Sequence, residues 1–195
     1  MAVILASTSN IRRQLLHNAG IAAVTEDPRV DEQMFKTAHQ ASAPDDLAQS
    51  LAAAKAQAVS ERYHSSLVVG ADQVLSINGT VLGKPRSLAE ARSQLQRLRD
   101  ETHMLSSAIC CGAEHCLVWS YTGRAELTMR NFSDCFLDDY LASLGSDALT
   151  SVGAYKLEGR GIQLFNRVHG DYFSIMGLPL LPLIEFLRSA GELTQ

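Results

Sequence analysis

Charged side chains of two kinds recur along this chain at positions where they could act together. Arg12, Arg13, Lys55 and Lys84 supply positive charge, and Glu32 and Asp72 supply carboxylates. Cations next to a carboxylate that can hold a metal suit a polyphosphate, whose chemistry asks mainly for positioning and charge neutralisation. Asp72 directly follows Leu67-Val68-Val69-Gly70-Ala71. It is therefore expected at the C-terminal end of a buried strand, the edge where α/β sheets bind ligands. A carboxylate there can hold Mg²⁺ or orient an attacking water, or it can simply shape a turn. Lys84 lies between Gly83 and Pro85, where a constrained backbone would present it as a point charge for phosphate. Taken alone, Lys55 reads as a surface lysine in mid-helix, and Asp31-Glu32 as a solvated pair in a loop. The sequence carries no Walker P-loop, no GxSxG elbow and no HExxH, and its six histidines show no close ligand spacing.

These residues need elements to hold them. Ala2 to Ala6 is a short apolar run, enough for one buried strand. The polar Ser7-Thr8-Ser9-Asn10 follows, then a helix from Ile11 that closes near Asn18 and Gly20. Hydroxyls and unpaired amides at a helix start can bind an anion. Arg12 and Arg13 oppose the helix dipole there, a conflict that an anion would relieve; the alternative is a plain Ser9 or Asn10 cap with solvated arginines. Thr25 to Ala43 reads as a loop or short strand. Asp45 or Asp46 is expected to cap a helix over Leu47 to Tyr63, with Leu47, Leu51, Ala54 and Ala58 at helical spacing.

Asn78-Gly79 between alternating segments predicts a two-residue hairpin turn. Ser87 is expected to cap a helix over Leu88 to Arg99, and Ser133 one over Asp134 to Leu144, closed at Gly145. Thr102 to Gly112, Cys116 to Tyr121 and Arg124 to Phe132 read as an antiparallel meander with turns near Gly112-Ala113-Glu114 and Thr122-Gly123. Ile162 to Val168 and Tyr172 to Met176 read as a last hairpin, and Pro179 as an early residue of a C-terminal helix. Hairpins break strict βαβ alternation. The expected fold is α/β, with a mixed, partly antiparallel sheet and flanking helices.

With 195 residues, 46% of them hydrophobic, there is enough material for one domain or two small lobes. The net charge of −4 argues against a polymeric nucleic-acid partner while allowing a local basic pocket. No apolar run approaches the ~20 residues of a membrane span, and the apolar start is too short for a signal peptide. Cys110, Cys111, Cys116 and Cys135 contain no CxxC pair and are expected to be reduced, mostly buried thiols of a cytoplasmic protein.

From end to end the chain resembles the Maf-like nucleoside triphosphate pyrophosphatases, also called septum formation proteins. The resemblance rests on Leu5-Ala6-Ser7-Thr8-Ser9 with Arg12, Val30-Asp31-Glu32, Lys55 in Leu-Ala-Ala-Ala-Lys-Ala, and Val69 to Val74. It continues through Leu82-Gly83-Lys84-Pro85, Gly153 to Gly159, and Gly177-Leu178-Pro179-Leu180. It implies one Maf-like domain over residues 1–195, two-lobed around a nucleotide cleft. It also implies hydrolysis of a nucleoside triphosphate between the α- and β-phosphates, a housecleaning role, with a divalent cation (Mg²⁺ or Mn²⁺) assisting. A homodimer is compatible with it. By resemblance Asp72 is the proton acceptor, Glu32 and Asp72 lie at the metal, and Ser7, Ser9, Arg12, Lys55 and Lys84 line the phosphates. Base choice in the family tracks the positions of Ile11, Gln73 and Glu158. Gln and Glu match the branch acting on 7-methyl-GTP, while Ile matches neither that branch nor the one acting on dTTP and UTP. The expectation is a 7-methyl-GTP or related purine-type substrate. The alternatives are a dTTP/UTP pyrophosphatase and a regulator that binds nucleotide without turnover.

Overall fold

The computed structural model describes residues 3–39 and 42–194. Among the described residues, seven strands form one mixed sheet in the order β2-β1-β3-β5-β6-β7, with β4 paired to β3. The strands are β1 Val3–Ala6, β2 Ala23–Glu26, β3 Leu67–Ile77, β4 Thr80–Leu82, β5 Thr102–Ala113, β6 Cys116–Met129 and β7 Phe165–His169. The helices are α1 Asn10–Asn18, α2 Glu32–Ala38, α3 Pro44–Ser60, α4 Leu88–Leu98, α5 Asp134–Leu144, α6 Tyr172–Ile175 and α7 Leu180–Ser189. No helix of the described residues is long and apolar enough to cross a membrane. The chain divides into two compact units, each built from separated segments.

The first unit comprises Met1–Gln73, Ser106–Arg124 and Asp171–Gln195. All four residues of β1 are buried, and β1 runs parallel to both its neighbours, Leu5 facing Thr25 of β2 and Val69 of β3. Continuous apolar runs are what strands covered on both faces require. The parallel pairing stops at Ala6 opposite Gly70, but β3 runs on to Ile77. Asp72 therefore lies inside a long strand, not at its end; it stands two residues beyond the point where β1 leaves off. Gly70 is where α3 meets the sheet. A Cβ there would sit 2.2 Å from the Ala52 carbonyl oxygen and 2.6 Å from the Ala56 nitrogen, so only glycine admits the helix backbone this close.

Helix α3 departs from the expected pattern at both its start and its face. Ala43 is the N-cap without a side-chain bond, and Pro44 fills the first turn, where a missing N–H costs nothing. Asp45, freed from capping, accepts from Ser106 Oγ at 2.5 Å and from Arg124, which holds its carboxyl below the ordinary range against the opposing effect of burial. The buried stripe passes through Leu47, Leu51, Lys55 and Val59, and not through Ala54 or Ala58. The stretch before it, read as a loop or short strand, begins in β2 and contains the unexpected α2, capped by Asp31 on Met34 N at 2.9 Å. The expected turn at Thr122-Gly123 is absent, and β6 runs straight through it. Gly123 is there because a Cβ would meet Ser174 Oγ at 2.8 Å. The second strand of the expected last hairpin is α6, capped by Asp171.

The second unit comprises Val74–Leu105 and Ala125–Gly170. The Asn78-Gly79 hairpin forms as expected, with φ of 48° and 75° at the turn. Ser87 and Ser133 cap α4 and α5, each accepting from the backbone N–H three residues on. Leu95, Leu98, Leu105, Leu127, Phe132, Leu137 and Tyr140 are among its buried side chains. Ser76, Gln94 and His103 are its buried polar side chains among the described residues, and none is an acidic residue, a lysine or an arginine. Tyr155 Oη lies 2.9 Å from His103 Nε2, and Tyr140 Oη accepts from Lys156 N–H at 3.1 Å. Burial pulls His103 down to about 4. Of the four cysteines, Cys110 and Cys111 are buried, whereas Cys116 and Cys135 are exposed; all are free thiols.

Candidate active site

In the first unit the charged residues of four different segments meet. Lys55 is 4% exposed, and its Nζ donates to Asp72 Oδ1 at 2.6 Å and to Glu32 Oε1 at 2.5 Å. Close packing of α3 on Gly70 brings the lysine there, since Ala56 and Ala52 lie against the strand that carries Asp72. Neither residue is what it appears to be in isolation: Lys55 is no surface lysine, and Glu32 is no solvated loop carboxylate. Ion pairs of this length between desolvated groups are strong only when both partners are fully bonded. Asp72 is not. Its Oδ2 is buried without a hydrogen-bond partner. A desolvated carboxylate oxygen with no donor is costly, which marks the place where a cation or a water belongs.

Arg12 is likewise buried. Its Nε donates to the Gly177 carbonyl at 2.7 Å, and its Nη1 to the Ala71 carbonyl at 2.8 Å and to Ser7 Oγ at 3.3 Å. The guanidinium thus ties α1 to β3 and to the turn after α6. Burial lowers its pKa, while Asp72 and Glu32 act in the opposite direction; an arginine remains charged throughout. Arg13, its neighbour, is exposed and donates to Asn10 Oδ1. Of the two sequence-adjacent arginines only Arg12 enters the cluster. Ser7 also accepts from Ser9 N at 3.2 Å, and Ser9 caps α1 by accepting from Arg12 N at 3.4 Å.

Gln73, beside Asp72, is half-buried and held by Ser107, Ser174 and Ile175. None of these three is prominent in the sequence, and no local pattern marks them, because their partner is a hundred residues or so away for two of them. Ile11 is half-buried on α1. Lys84 and Glu158 belong to the second unit, where both are exposed. Among the described residues no group of three or more His, Cys, Asp or Glu converges as a metal site. The donor set is instead two carboxylates, Glu32 and Asp72, one of them with an unpartnered oxygen. That fits Mg²⁺ or Mn²⁺, hard cations that take one or two protein carboxylates and complete their shell with water and phosphate.

The fold and this cluster define a mixed α/β protein that buries a lysine on the carboxylates of Asp72 and Glu32, with a buried arginine in the same unit. The chain belongs to the Maf-like protein family, whose model matches residues 2–190. It is 48% identical over 191 residues to a nucleoside triphosphate pyrophosphatase of Paramagnetospirillum magneticum, covering 97% of this chain and 98% of that one. It is 46% identical to a 7-methyl-GTP pyrophosphatase of Rhizobium meliloti and 45% identical to one of Rhizobium johnstonii, each over 98% of this chain and 97% of the relative. Among solved structures, a nucleoside-triphosphatase / dITP/XTP pyrophosphatase of Mycobacterium abscessus covers 68% of this chain and 76% of its own at 15% identity and TM-score 0.39, too distant to bear on fold or function.

Proposed function

We propose that the chain is a nucleoside triphosphate pyrophosphatase. Water adds across the α–β phosphoanhydride: its oxygen bonds to the α-phosphorus, the bond to the β-phosphate breaks, and monophosphate and pyrophosphate leave. The observation that carries this reading is Asp72, a buried carboxylate with one oxygen on Lys55 and the other unpartnered. That second oxygen is the natural acceptor for the proton of the attacking water. Glu32 and Asp72 are the residues that would hold a divalent cation, which supplies neutralisation of phosphate charge and a more acidic bound water. Arg12, Lys55, Ser7, Ser9 and Lys84 are assigned to the phosphates, where charge neutralisation does most of the catalytic work. The names of the relatives support the same reaction.

For the base we favour 7-methyl-GTP. Glu158 when ionised only accepts hydrogen bonds. It suits the N–H groups of a guanine edge and leaves a lone pair facing the carbonyl oxygens of uracil or thymine. Ile11 cannot stack on a cationic base as an aromatic would, so discrimination for the methyl group is expected to be loose. The test is pyrophosphate release from 7-methyl-GTP, GTP, dTTP and UTP with Mg²⁺ or Mn²⁺. The expected kcat/KM order places 7-methyl-GTP first and the pyrimidines about tenfold or more below. Preference for dTTP and UTP would overturn the base assignment. Binding without any pyrophosphate release would overturn the enzyme.

A further inference from the structure

The Gln73 side-chain amide is held in one orientation. Its Nε2 lies 2.9 Å from Ser107 Oγ, 3.1 Å from the Ser174 carbonyl and 2.9 Å from the Ile175 carbonyl. Carbonyl oxygens only accept. The Ser107 hydroxyl is able to donate, but its proton is already committed to the Ser174 carbonyl at 2.7 Å. Toward Gln73, Ser107 is therefore an acceptor as well. The whole cradle accepts, so the amide stands with its NH₂ inward, and a reversed amide would press Oε1 against three oxygens. The cradle is itself rigid. Ser174 N and Oγ both donate to Asp171 Oδ2, at 2.7 and 2.8 Å, and Ser107 is completely buried. Every group in this arrangement belongs to the first unit.

We infer that Ser107 is a positioning residue for base recognition: it locks Gln73 so that only Oε1, an acceptor, is presented to the nucleobase. This rests on the pyrophosphatase reading and deepens it. An acceptor held in place selects a base edge with N–H donors. The guanine edge offers a ring N–H and an adjacent amino group. Uracil and thymine offer one N–H flanked by two carbonyl oxygens, which repel an amide oxygen. Ser107 touches no substrate in this scheme. It acts through Gln73: its loss leaves the amide on the Ser174 and Ile175 carbonyls alone and frees the Ser174 carbonyl from the Ser107 hydroxyl, so Oε1 is held less firmly toward the base.

The test reads the ratio of kcat/KM for 7-methyl-GTP to that for UTP in the parent, Ser107→Ala, Ser107→Thr and Gln73→Ala, and in the double variant Ser107→Ala/Gln73→Ala. Kd values for non-hydrolysable triphosphate analogues of the same two bases are measured alongside. Ser107→Ala is expected to shrink the ratio by about tenfold, the scale of a lost oriented hydrogen bond. Ser107→Thr keeps the hydroxyl and is expected to restore it. Once Gln73 is alanine, removing Ser107 is expected to change the ratio by less than about twofold, because the two act as one unit. A merely structural serine would lower both substrates together and leave the ratio alone. An unchanged ratio in Ser107→Ala, or the same shrinkage without Gln73, overturns the inference. A parent that releases no pyrophosphate from any triphosphate overturns the enzyme reading instead, and the Kd ratio then decides the role of Ser107.

Discussion

The two units of this protein each bury a polar cluster, and the clusters differ in charge. In the first unit, Arg12, Lys55 and Asp72 are charged groups taken out of water. In the second, His103, Tyr140 and Tyr155 are equally buried and neutral, with the tyrosines pushed up by burial, Tyr140 to about 12, and His103 pulled down. Both leave an atom without a partner, Asp72 Oδ2 in one and His103 Nδ1 in the other. An unpaired neutral nitrogen costs about 1–3 kcal/mol, which a core can absorb, whereas an unpaired carboxylate oxygen costs more. A neutral cluster is what folding alone would select. A charged and incompletely bonded one stores a binding capacity that folding does not need.

The sharpest way to break this contrast is to remove the cation from the first cluster. Lys55→Met deprives two carboxylates of their shared donor. Glu32, with a side chain 37% exposed, can turn to solvent, but Asp72 at 5% cannot. Stability in urea should fall by about 3–5 kcal/mol, the usual penalty for orphaning a buried charge. A loss below about 1 kcal/mol, the scale of a surface pair, would show that the cluster is not desolvated.

The matching experiment in the second unit uses pH. His103 titrates near 6.5 when unfolded and is pulled to about 4 in the fold by burial. Below 6.5 the unfolded chain takes up the proton first. Stability is therefore complete above 6.5 and is lost as pH falls toward 4. At about 1.4 kcal/mol per pH unit across that window, the loss is roughly 3 kcal/mol. His103→Gln should flatten the stability profile between those pH values, read as Tm or urea midpoint. If parent and variant lose stability in parallel, His103 is not the group that titrates.

Next comes Asp72→Asn. The amide keeps the shape, and Lys55 keeps its bond to Glu32, so the variant should fold. Turnover should drop by about 10²-fold or more, the scale of a lost general base. Activity within about threefold of the parent would remove Asp72 from the chemistry.

How much of this could be read from the sequence depended on how local each cause was. Asn78-Gly79 was legible because a two-residue hairpin demands positive φ at both positions. Ser87 and Ser133 were legible because capping reaches only three residues. Thr122-Gly123 misled, since its glycine answers to Ser174, some fifty residues along the chain, and not to a turn. Helix α2 left no trace because none of its residues is buried, so there was no apolar period to see. Lys55 was obscured for the opposite reason: a lysine on the inward stripe of α3 contradicts the pattern that marks a core, and its partners lie on other segments. Departures of that kind are what functional sites produce. The orientation of Gln73 was beyond reach, being set by carbonyls that no sequence pattern encodes.

The smallest expected effect separates two adjacent residues of the same type. Arg12 and Arg13 share the first turn of α1, yet Arg12 is buried on three oxygen partners while Arg13 is exposed and reaches only Asn10 Oδ1 at 3.1 Å. A cation in the first turn opposes the helix dipole by a few tenths of a kcal/mol, up to about 1. Arg12 offsets that by tying three segments together; Arg13 has little to set against it. Arg13→Ala should therefore leave kcat/KM within about twofold for every triphosphate and raise stability by a few tenths of a kcal/mol, an effect that shrinks in high salt as the dipole is screened. Arg12→Ala in the same assay should cost activity for all bases alike, because phosphates carry no base identity. If Arg13→Ala weakened turnover as much as Arg12→Ala, the cluster would extend beyond the buried side of α1, and Arg13 would join the charges assigned to the phosphates.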